Sequence, residues 1–384
     1  MRYCICKRCV IDTTVPGVEF DNTGECNFCK LHDKLSRLFP LNDKGEEKLQ
    51  KITRSIKAKA KFNRYDCIVG ISGGRDSIYM LYFIRKKLGL RPLAVHFNDG
   101  FGNPVAGENM KKAVKILDVD LRTITSDWRE SKDLKIAFLK ASTPDLEEAT
   151  DLGIAAALYG VAVKENIRHI IIGQSFRTEG IAPLEWNYLD GRYLKSVHQR
   201  FGSVELRSWS PDNPGFNLSL TQLFYYTVIR RIKTIPILYY VNYIRSEAEK
   251  ILINELGWVY PGAHYYDDLY QSLMSYIYRI KFNIDRRKFN YSALVRSGQL
   301  TREEALKRIN EVGAIEDKKV IALCLKRLGI SYDEFNKYLK EEPKTFRDYP
   351  TSYAYIRLLK PFIKLLSTLN VIPLVTYSKY FECG

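Results

Sequence analysis

Cys67-Ile68-Val69-Gly70-Ile71 runs directly into Ser72-Gly73-Gly74-Arg75-Asp76-Ser77. The first five residues are apolar or small and predict a buried strand. Beyond the glycines, Ile78, Leu81, Tyr82, Ile84 and Leu88 fall on one helical face, and Gly89 stands where a helix stop belongs. A strand that breaks at paired glycines and opens a helix is a phosphate cradle. Its backbone can approach an anion closely, and the first N–H groups of the helix point at it.

Two common cradles are excluded. A Walker A loop requires G-x-x-x-x-G-K-[ST], and no lysine follows these glycines; a dinucleotide fingerprint requires G-x-G-x-x-G. The Ser-Gly-Gly-x-Asp-Ser pattern instead offers two hydroxyls, a run of amides and one carboxylate. A carboxylate beside phosphate repels it unless the group caps the helix or holds Mg²⁺ between them. The six residues resemble the PP-loop of the ATP pyrophosphatases, which cleave ATP to AMP and pyrophosphate. The bland alternative is an ordinary Ser/Gly turn before a helix.

The chain has 384 residues, enough for two or three domains, and its formal charge is +16. That excess of cations suits an anionic partner or a generally basic background, since no run forms a polybasic tail. Met1-Arg2-Tyr3-Cys4 offers no apolar leader, and no stretch is long and apolar enough to span a bilayer, so the cytoplasm is the expected location. The eight cysteines are clustered, which fits metal binding in a reducing compartment better than disulfides.

Cys6-Lys7-Arg8-Cys9 and Cys26-Asn27-Phe28-Cys29 are two C-x-x-C pairs separated by 16 residues. Two such pairs complete a tetrahedral Zn²⁺ shell of Cys6, Cys9, Cys26 and Cys29, with turn residues between them, as in a zinc ribbon. Four thiolates leave no open position, so the expected role is structural; a redox pair or an iron–sulfur cluster is the alternative. Cys4 reads as a bystander. From Lys30 to Arg64, eleven Lys/Arg face four Asp/Glu in a helical stretch, read as a solvated linker or as a basic rim around an anionic substrate.

Downstream, Leu93–Phe97, Leu121–Thr125 and His169–Gly173 are short apolar segments alternating with helical patterns at Val105–Leu117 and Leu152–Glu165. Strands that alternate with helices and are themselves nearly all apolar predict a doubly wound parallel α/β sheet. Ligands bind such sheets at the carboxyl ends of the strands, so Ser72–Ser77, His96–Gly100 and Gly173–Gly180 should converge. A lone His96 is ordinarily a packing residue, but its backbone is placed to meet an adenine. Glu179 lies in a polar turn near the phosphate loop, readable as plain loop or as a functional carboxylate.

Taken together, the cysteine knuckle, the Ser-Gly-Gly-Arg-Asp-Ser loop, His96-Phe97-Asn98-Asp99-Gly100-Phe101 and Gly173 with Thr178-Glu179-Gly180 resemble the N-acetyl sugar amidotransferases of bacterial surface-polysaccharide synthesis. Lys281–Arg287 and Ser297–Leu306 extend that resemblance over nearly the whole chain. It implies an ATP pyrophosphatase fold with an N-terminal zinc ribbon and a mostly helical C-terminal domain. The corresponding boundaries are 1–35 for the ribbon, 36–64 for the linker, 65–205 for the nucleotide domain and 206–384 for a substrate or partner domain. ATP would adenylate the acetamido oxygen of a nucleotide-linked N-acetyl sugar, and ammonia would displace AMP to leave an acetamidino group. Asp76, Ser72 and Glu179 would be catalytic. Ser72, Gly73, Gly74, Arg75, Asp76, Ser77, His96 and Gly173 would bind ATP with Mg²⁺. The product would serve lipopolysaccharide or other surface glycans. Position 2 is Arg, not the cysteine of an N-terminal-nucleophile glutaminase, and Cys67, Cys324 and Cys383 lack a nearby motif. The resemblance therefore implies a separate glutaminase subunit, together with a cyclase-like subunit that channels ammonia.

One departure stands out. The family commonly carries Gly-Gly-Lys-His where this chain has Tyr260-Pro261-Gly262-Ala263-His264, so Ala263 replaces a lysine, and His264 is a further candidate site residue. The C-terminal half reads as helices at Leu218–Ile232, Ile237–Leu256, Tyr266–Phe282, Arg302–Val312, Lys318–Leu328 and Ser331–Leu339. Its dense tyrosines read as core. Tyr353–Phe381 is amphipathic, with Arg357, Lys360 and Lys364 on its polar side, as in a docking helix or a membrane-surface helix; the docking reading is preferred. The competing functional readings are a tRNA-thiolating PP-loop enzyme, which would need mid-chain cysteines, and an inactive zinc-ribbon adaptor. Nucleic acid is not the expected partner.

Overall fold

A computed structural model describes residues 3–208, 210, 215–216, 218–261, 268–311, 316–369 and 371–382. Gly262, Ala263 and His264 lie outside the described residues. The chain enters through the cysteine knuckle, α1 (Asn27–Leu38) and α2 (Asp43–Lys59), then lays down five strands. These are β1 (Cys67–Gly70), β2 (Pro92–Asn98), β3 (Asp120–Thr125), β4 (His169–Ile172) and β5 (Lys233–Pro236), all parallel, in the order β3-β2-β1-β4-β5. This is the doubly wound sheet expected from the sequence. Its order reverses between β1 and β4, which opens a crevice at their carboxyl ends.

The apolar runs of the central strands serve two cores at once, because successive side chains point to opposite faces. Cys67 and Val69 pack with Ala94 and Ile171 against α3 (Arg75–Tyr82), α4 (Pro104–Leu117) and α9 (Arg245–Leu256). Ile68, Leu93, Val95 and Ile170 pack on the other side against α5 (Trp128–Ala141), α6 (Glu148–Lys164) and α7 (Gly191–Phe201). Helix α6 lies close enough to β2 that a Cβ on Gly153 would sit 2.6 Å from Phe97 Cζ and 3.1 Å from Phe216 Cδ1.

A third core joins the two ends of the chain. Cys6, Cys9, Ile11, Val15, Cys26, Phe28 and Cys29 are buried in one cluster with residues of α10 (Tyr270–Ile277), α11 (Arg287–Arg296) and α13 (Lys318–Leu328). Lys288 donates to Asp12 at 2.6 Å, and the Val10 amide donates to Ser292 Oγ at 3.2 Å. α12 (Arg302–Ile309), α14 (Tyr332–Lys340), α15 (Tyr353–Leu358), α16 (Lys360–Thr368) and α17 (Leu374–Phe381) complete the helical region.

The structure differs from the sequence reading in several places, α7 and α11 among them, where no helix is expected. The sheet takes its fifth strand from Lys233–Pro236, beyond residue 205, where the alternation was expected to fade. That strand is short, lies at the sheet edge and ends in proline, as an edge position tolerates. The expected helix 237–256 is a 3₁₀ turn, Ile237–Tyr240, followed by α9; 218–232 shortens to α8 (Leu220–Phe224) and a π turn, Tyr225–Ile229. α5 was not anticipated, although Asp127 caps it by accepting from the Arg129 amide at 2.8 Å. The basic stretch 36–64 is not simply solvated, since Leu49 and Ile56 of α2 belong to the core under the sheet.

Placing a large side chain where α6 meets β2 should be costly. Gly153→Leu is expected to lower unfolding stability by about 1–3 kcal/mol, read as a reduced midpoint in chemical denaturation.

Candidate active site and metal centre

The loop after β1 is shaped by Gly73. Its φ is +87°, and a Cβ there would lie 2.1 Å from the Ala106 carbonyl oxygen of α4, so only glycine fits. The Gly73 carbonyl accepts from Trp258 Nε1 at 3.1 Å and Asn109 Nδ2 at 3.4 Å, which fixes the loop against α4 and the segment after α9. Helix α3 starts at Arg75 behind Gly74, with no side chain capping it, so its first N–H groups face the loop. The hydroxyls turn inward on one another. Ser72 and Ser77 Oγ are 3.2 Å apart, the Ser72 amide donates to Ser77 Oγ at 3.1 Å, and Ser77 Oγ donates to the Gly74 carbonyl at 3.1 Å. Two hydroxyls and a helix N-terminus in this arrangement fit a pyrophosphate-sized anion.

The three strand ends converge. His96 Nδ1 lies 3.1 Å from the Ile71 carbonyl oxygen, and burial holds its pKa below the ordinary histidine value. A Cβ on Gly173 would be 3.4 Å from the Asp76 carbonyl oxygen, so the end of β4 passes directly beside the phosphate loop. The carboxyl of Glu179, six residues farther on, lies within electrostatic reach of Asp76. Burial first, and the Asp76 charge second, push the Glu179 carboxyl up to about 8.

Asp76 does not cap α3. Its carboxylate is buried, accepts from Arg75 Nε at 2.9 Å, and takes a short hydrogen bond from the Tyr243 hydroxyl. Arg75 continues the network to Glu249 at 2.6 Å, so the guanidinium lies behind the loop among protein partners. Arg245 Nη2 donates to the Thr178 carbonyl at 2.8 Å and offsets the charge at Glu179. Around these carboxyls, Arg75 Nη2, Thr178 Oγ1, Tyr239 Oη and Arg245 Nε are buried with no hydrogen-bond partner among the described residues. Buried polar atoms are normally satisfied, so four unsatisfied atoms in one place mark a position built to be completed by a polar ligand or water.

Sequence reasoning brought Ser72–Ser77, His96, Gly173 and Glu179 to one crevice. It missed Tyr243, just before α9, and Arg245 and Glu249, in the first turns of α9, none of which carries a motif. It also missed a second buried pair, in which Lys135 meets Asp99 at 2.9 Å and lies over the Tyr270 ring.

The four knuckle cysteines are all buried and free of disulfides, and their Sγ atoms lie within 4.8 Å of one another. Cys6–Cys29, Cys9–Cys26 and Cys26–Cys29 are 3.8, 3.7 and 3.6 Å apart. A tetrahedron of sulfurs at about 2.3 Å from one ion has edges of about 3.8 Å, so the thiols fit a single metal ion. A cuboidal cluster seats each thiolate on a different iron and would spread them farther. Arg296 closes the centre, with Nη2 3.2 Å from Cys9 Sγ and Nε 3.3 Å from Cys29 Sγ, while Arg302 donates to the Cys6 and Cys9 carbonyls. Four thiolates around a dication carry net negative charge, and the buried guanidinium offsets part of it. Cys4 is exposed and takes no part.

Among known proteins, residues 261–362 match the family described as LPS biosynthesis protein WbpG-like, C-terminal domain. Lys288, Arg296 and Arg302, which grip the cysteine knuckle, lie within the matched region. A curated relative, the uncharacterized protein MJ1599 of Methanocaldococcus jannaschii, is 29% identical over 93 residues, or 24% of this chain; the match spans 33% of that relative's length. Among solved structures, the NH3-dependent NAD synthetase of Campylobacter jejuni aligns at 14% identity over 78% of this chain and 97% of its own, with a TM-score of 0.31. The NMN synthetase of Francisella tularensis aligns at 14% over 75% and 97%, with a TM-score of 0.32. The U34-tRNA thiolase NcsA of Methanococcus maripaludis, solved with its [4Fe-4S] cluster, aligns at 13% over 86% and 99%, with a TM-score of 0.31.

The Glu179 environment has a pH consequence. Its folded pKa of about 8 lies above its ordinary 4.5, so its contribution to folding is complete below about 4.5 and is lost as pH rises through about 8. In calorimetric melts of the ligand-free protein, Tm should fall more steeply between about pH 5 and about pH 8 for the wild type than for Glu179→Gln, with the two slopes converging above that range. Equal slopes would remove Glu179 as the titrating group.

Proposed function

We propose that this chain is an ATP-dependent, AMP- and pyrophosphate-forming amidotransferase that converts the acetamido group of an N-acetylated, nucleotide-linked sugar into an acetamidino group for surface polysaccharide. The observation that carries the proposal is the Ser72–Ser77 loop at the sheet's switch point, with its buried Asp76 beside the half-buried Glu179. The match to the WbpG-like C-terminal domain supports the polysaccharide context.

The chemistry follows from what must happen to an amide. Its oxygen attacks the α-phosphorus of ATP; the bond to the β-phosphate oxygen breaks, and pyrophosphate leaves as the imidate forms. Ammonia then adds to the imidate carbon, the C–O bond to AMP breaks, and a proton is released as the amidine forms. Ser72, Ser77 and the first amides of α3 would hold the departing pyrophosphate where charge develops. Asp76 would hold Mg²⁺, which when bound supplies neutralisation of the phosphate charge. Glu179, poised at about 8, suits proton transfer from the attacking nitrogen at neutral pH. His96 and its strand neighbours would border the adenine.

We assign the knuckle metal as structural Zn²⁺. Nitrogen would come from a separate glutaminase subunit, with ammonia passed on by a cyclase-like partner. This fits the state of the cysteines: burial raises the thiol of Cys67 and pushes that of Cys324 up to about 12, the reverse of an activated nucleophile. Cys383 lies outside the described residues.

ATP–pyrophosphate exchange, measured with a panel of nucleotide-linked N-acetyl sugars and with tRNA using ammonium as nitrogen donor, tests the reading. Sugar-dependent exchange is expected, and AMP release with tRNA alone would sink it. Asp76→Ala should abolish AMP formation while circular dichroism stays native; unchanged turnover would refute the role given to Asp76. Elemental analysis should find one zinc per chain, and Cys9→Ser should lose it. Iron with a visible cluster absorption would overturn the zinc assignment.

A further inference from the structure

On the side of the sheet remote from the phosphate loop, a groove of about 720 Å³ runs between α2, the edge strand β5 and the C-terminal helices. His169 and Lys233, which open β4 and β5, lie in its wall, so it sits at the amino ends of the strands. Its rim carries Lys34, Lys48, Lys51, Lys59, Lys233 and Lys364, and the one carboxylate lining it, Glu382, is paired to Lys34 at 2.5 Å. The cations crowd one another: Lys233 and Arg168 help depress the Lys59 ammonium, and with Lys59 they help hold His169 at about 4, burial being the larger cause in both. Between the lysines the lining is apolar, with Ile52, Ile56, Pro236 and Leu374.

α16 forms one wall, and its two sides differ. Lys364, Ser367 and Thr368, spaced on one helical face, line the groove. Around the helix and back into α15, Leu358, Leu359, Phe362, Leu365 and Leu369 are between 43% and 80% exposed. Five large apolar side chains on two adjoining short helices form a contiguous apolar surface of the kind that marks an interaction site. Arg357, Lys360 and Lys364 stand beside it. No helix among the described residues is long and apolar enough to cross a bilayer.

We propose that α15 and α16 lie in the headgroup region of an anionic phospholipid bilayer, with the apolar stripe inserted and the lysine groove at headgroup level. Charge decides the occupant. An apolar face rimmed by cations gains from hydrocarbon and from lipid phosphate together, whereas a second copy of this chain would bring the same lysines against these. The apolar floor between the lysines suits the junction of a phosphate head and its acyl chain. The inference is independent of the reaction proposed above, since no residue of the phosphate loop or its carboxyl network takes part.

The test is co-sedimentation of the full chain with vesicles of phosphatidylglycerol and phosphatidylcholine, against vesicles of phosphatidylcholine alone, at low and high salt. Binding to the anionic vesicles is expected to be at least about tenfold stronger and to weaken with salt. The double variant F362E/L365E removes the stripe and K51E/K59E reverses the rim. Each should lose about tenfold or more of that binding while melting temperature and ATP–pyrophosphate exchange stay at wild-type values. No binding to anionic vesicles, or binding that both variants retain, overturns the proposal. So does a concentration-dependent dimer in sedimentation velocity that F362E/L365E dissociates, because the stripe would then be covered by a second copy.

Discussion

Everything at the crevice depends on how closely the backbone at Gly73 approaches α4. A contact that excludes even a Cβ, combined with a left-handed φ, leaves the loop one conformation, and the indole and amide that hold its carbonyl come from two other elements. The close approach sets where α3 begins, and so where its amides point. It also draws in the segment after α9, through Trp258 and Val259, whose amide donates to Asn109 Oδ1 at 2.9 Å. That segment leads toward the region that matches the WbpG-like family. The loop is therefore a junction of the α/β unit with the helical region as well as an anion site.

Behind the loop the electrostatics are tightly balanced. Asp76 and Glu179 would repel if both were ionised in a buried setting, and Arg75, Arg245 and Tyr243 limit that cost by hydrogen bonding and charge. The balance is incomplete, as the four unsatisfied polar atoms show. Incomplete satisfaction is expected of a site whose own ligand supplies the remaining partners, and it is the feature that most separates this crevice from an ordinary buried ion network.

Much of this was legible in the chain. The Ser-Gly-Gly-x-Asp-Ser loop, the apolar strands and the paired C-x-x-C motifs each combine a short-range pattern with a physical requirement, and the structure keeps all three. What escaped reading has physical causes. β5 is four residues long, begins with lysine and ends with proline, so no periodicity announces it. Tyr243 and Glu249 reach Asp76 and Arg75 across more than 160 residues of sequence, Arg245 reaches Thr178 across 67, and a tyrosine beside a basic segment looks like any other. The guanidinium of Arg75 turns inward to Asp76, Tyr243 and Glu249, a direction that only packing decides. Arg296 escaped for the same reason, lying 267 residues from the cysteine it touches.

That last separation bears on how the molecule is made. The knuckle leaves the ribosome before α11, and the guanidinium that packs against its sulfurs is synthesised on the order of tens of seconds later at ordinary elongation rates. Until α11 has emerged, the thiolates carry their charge in the open, with Phe28 and Ile11 lacking the apolar partners that later cover them. The metal centre is thus a late assembly that closes the chain into a ring of contacts. A truncated translation product would hold its cysteines exposed, which distinguishes it chemically from the finished protein.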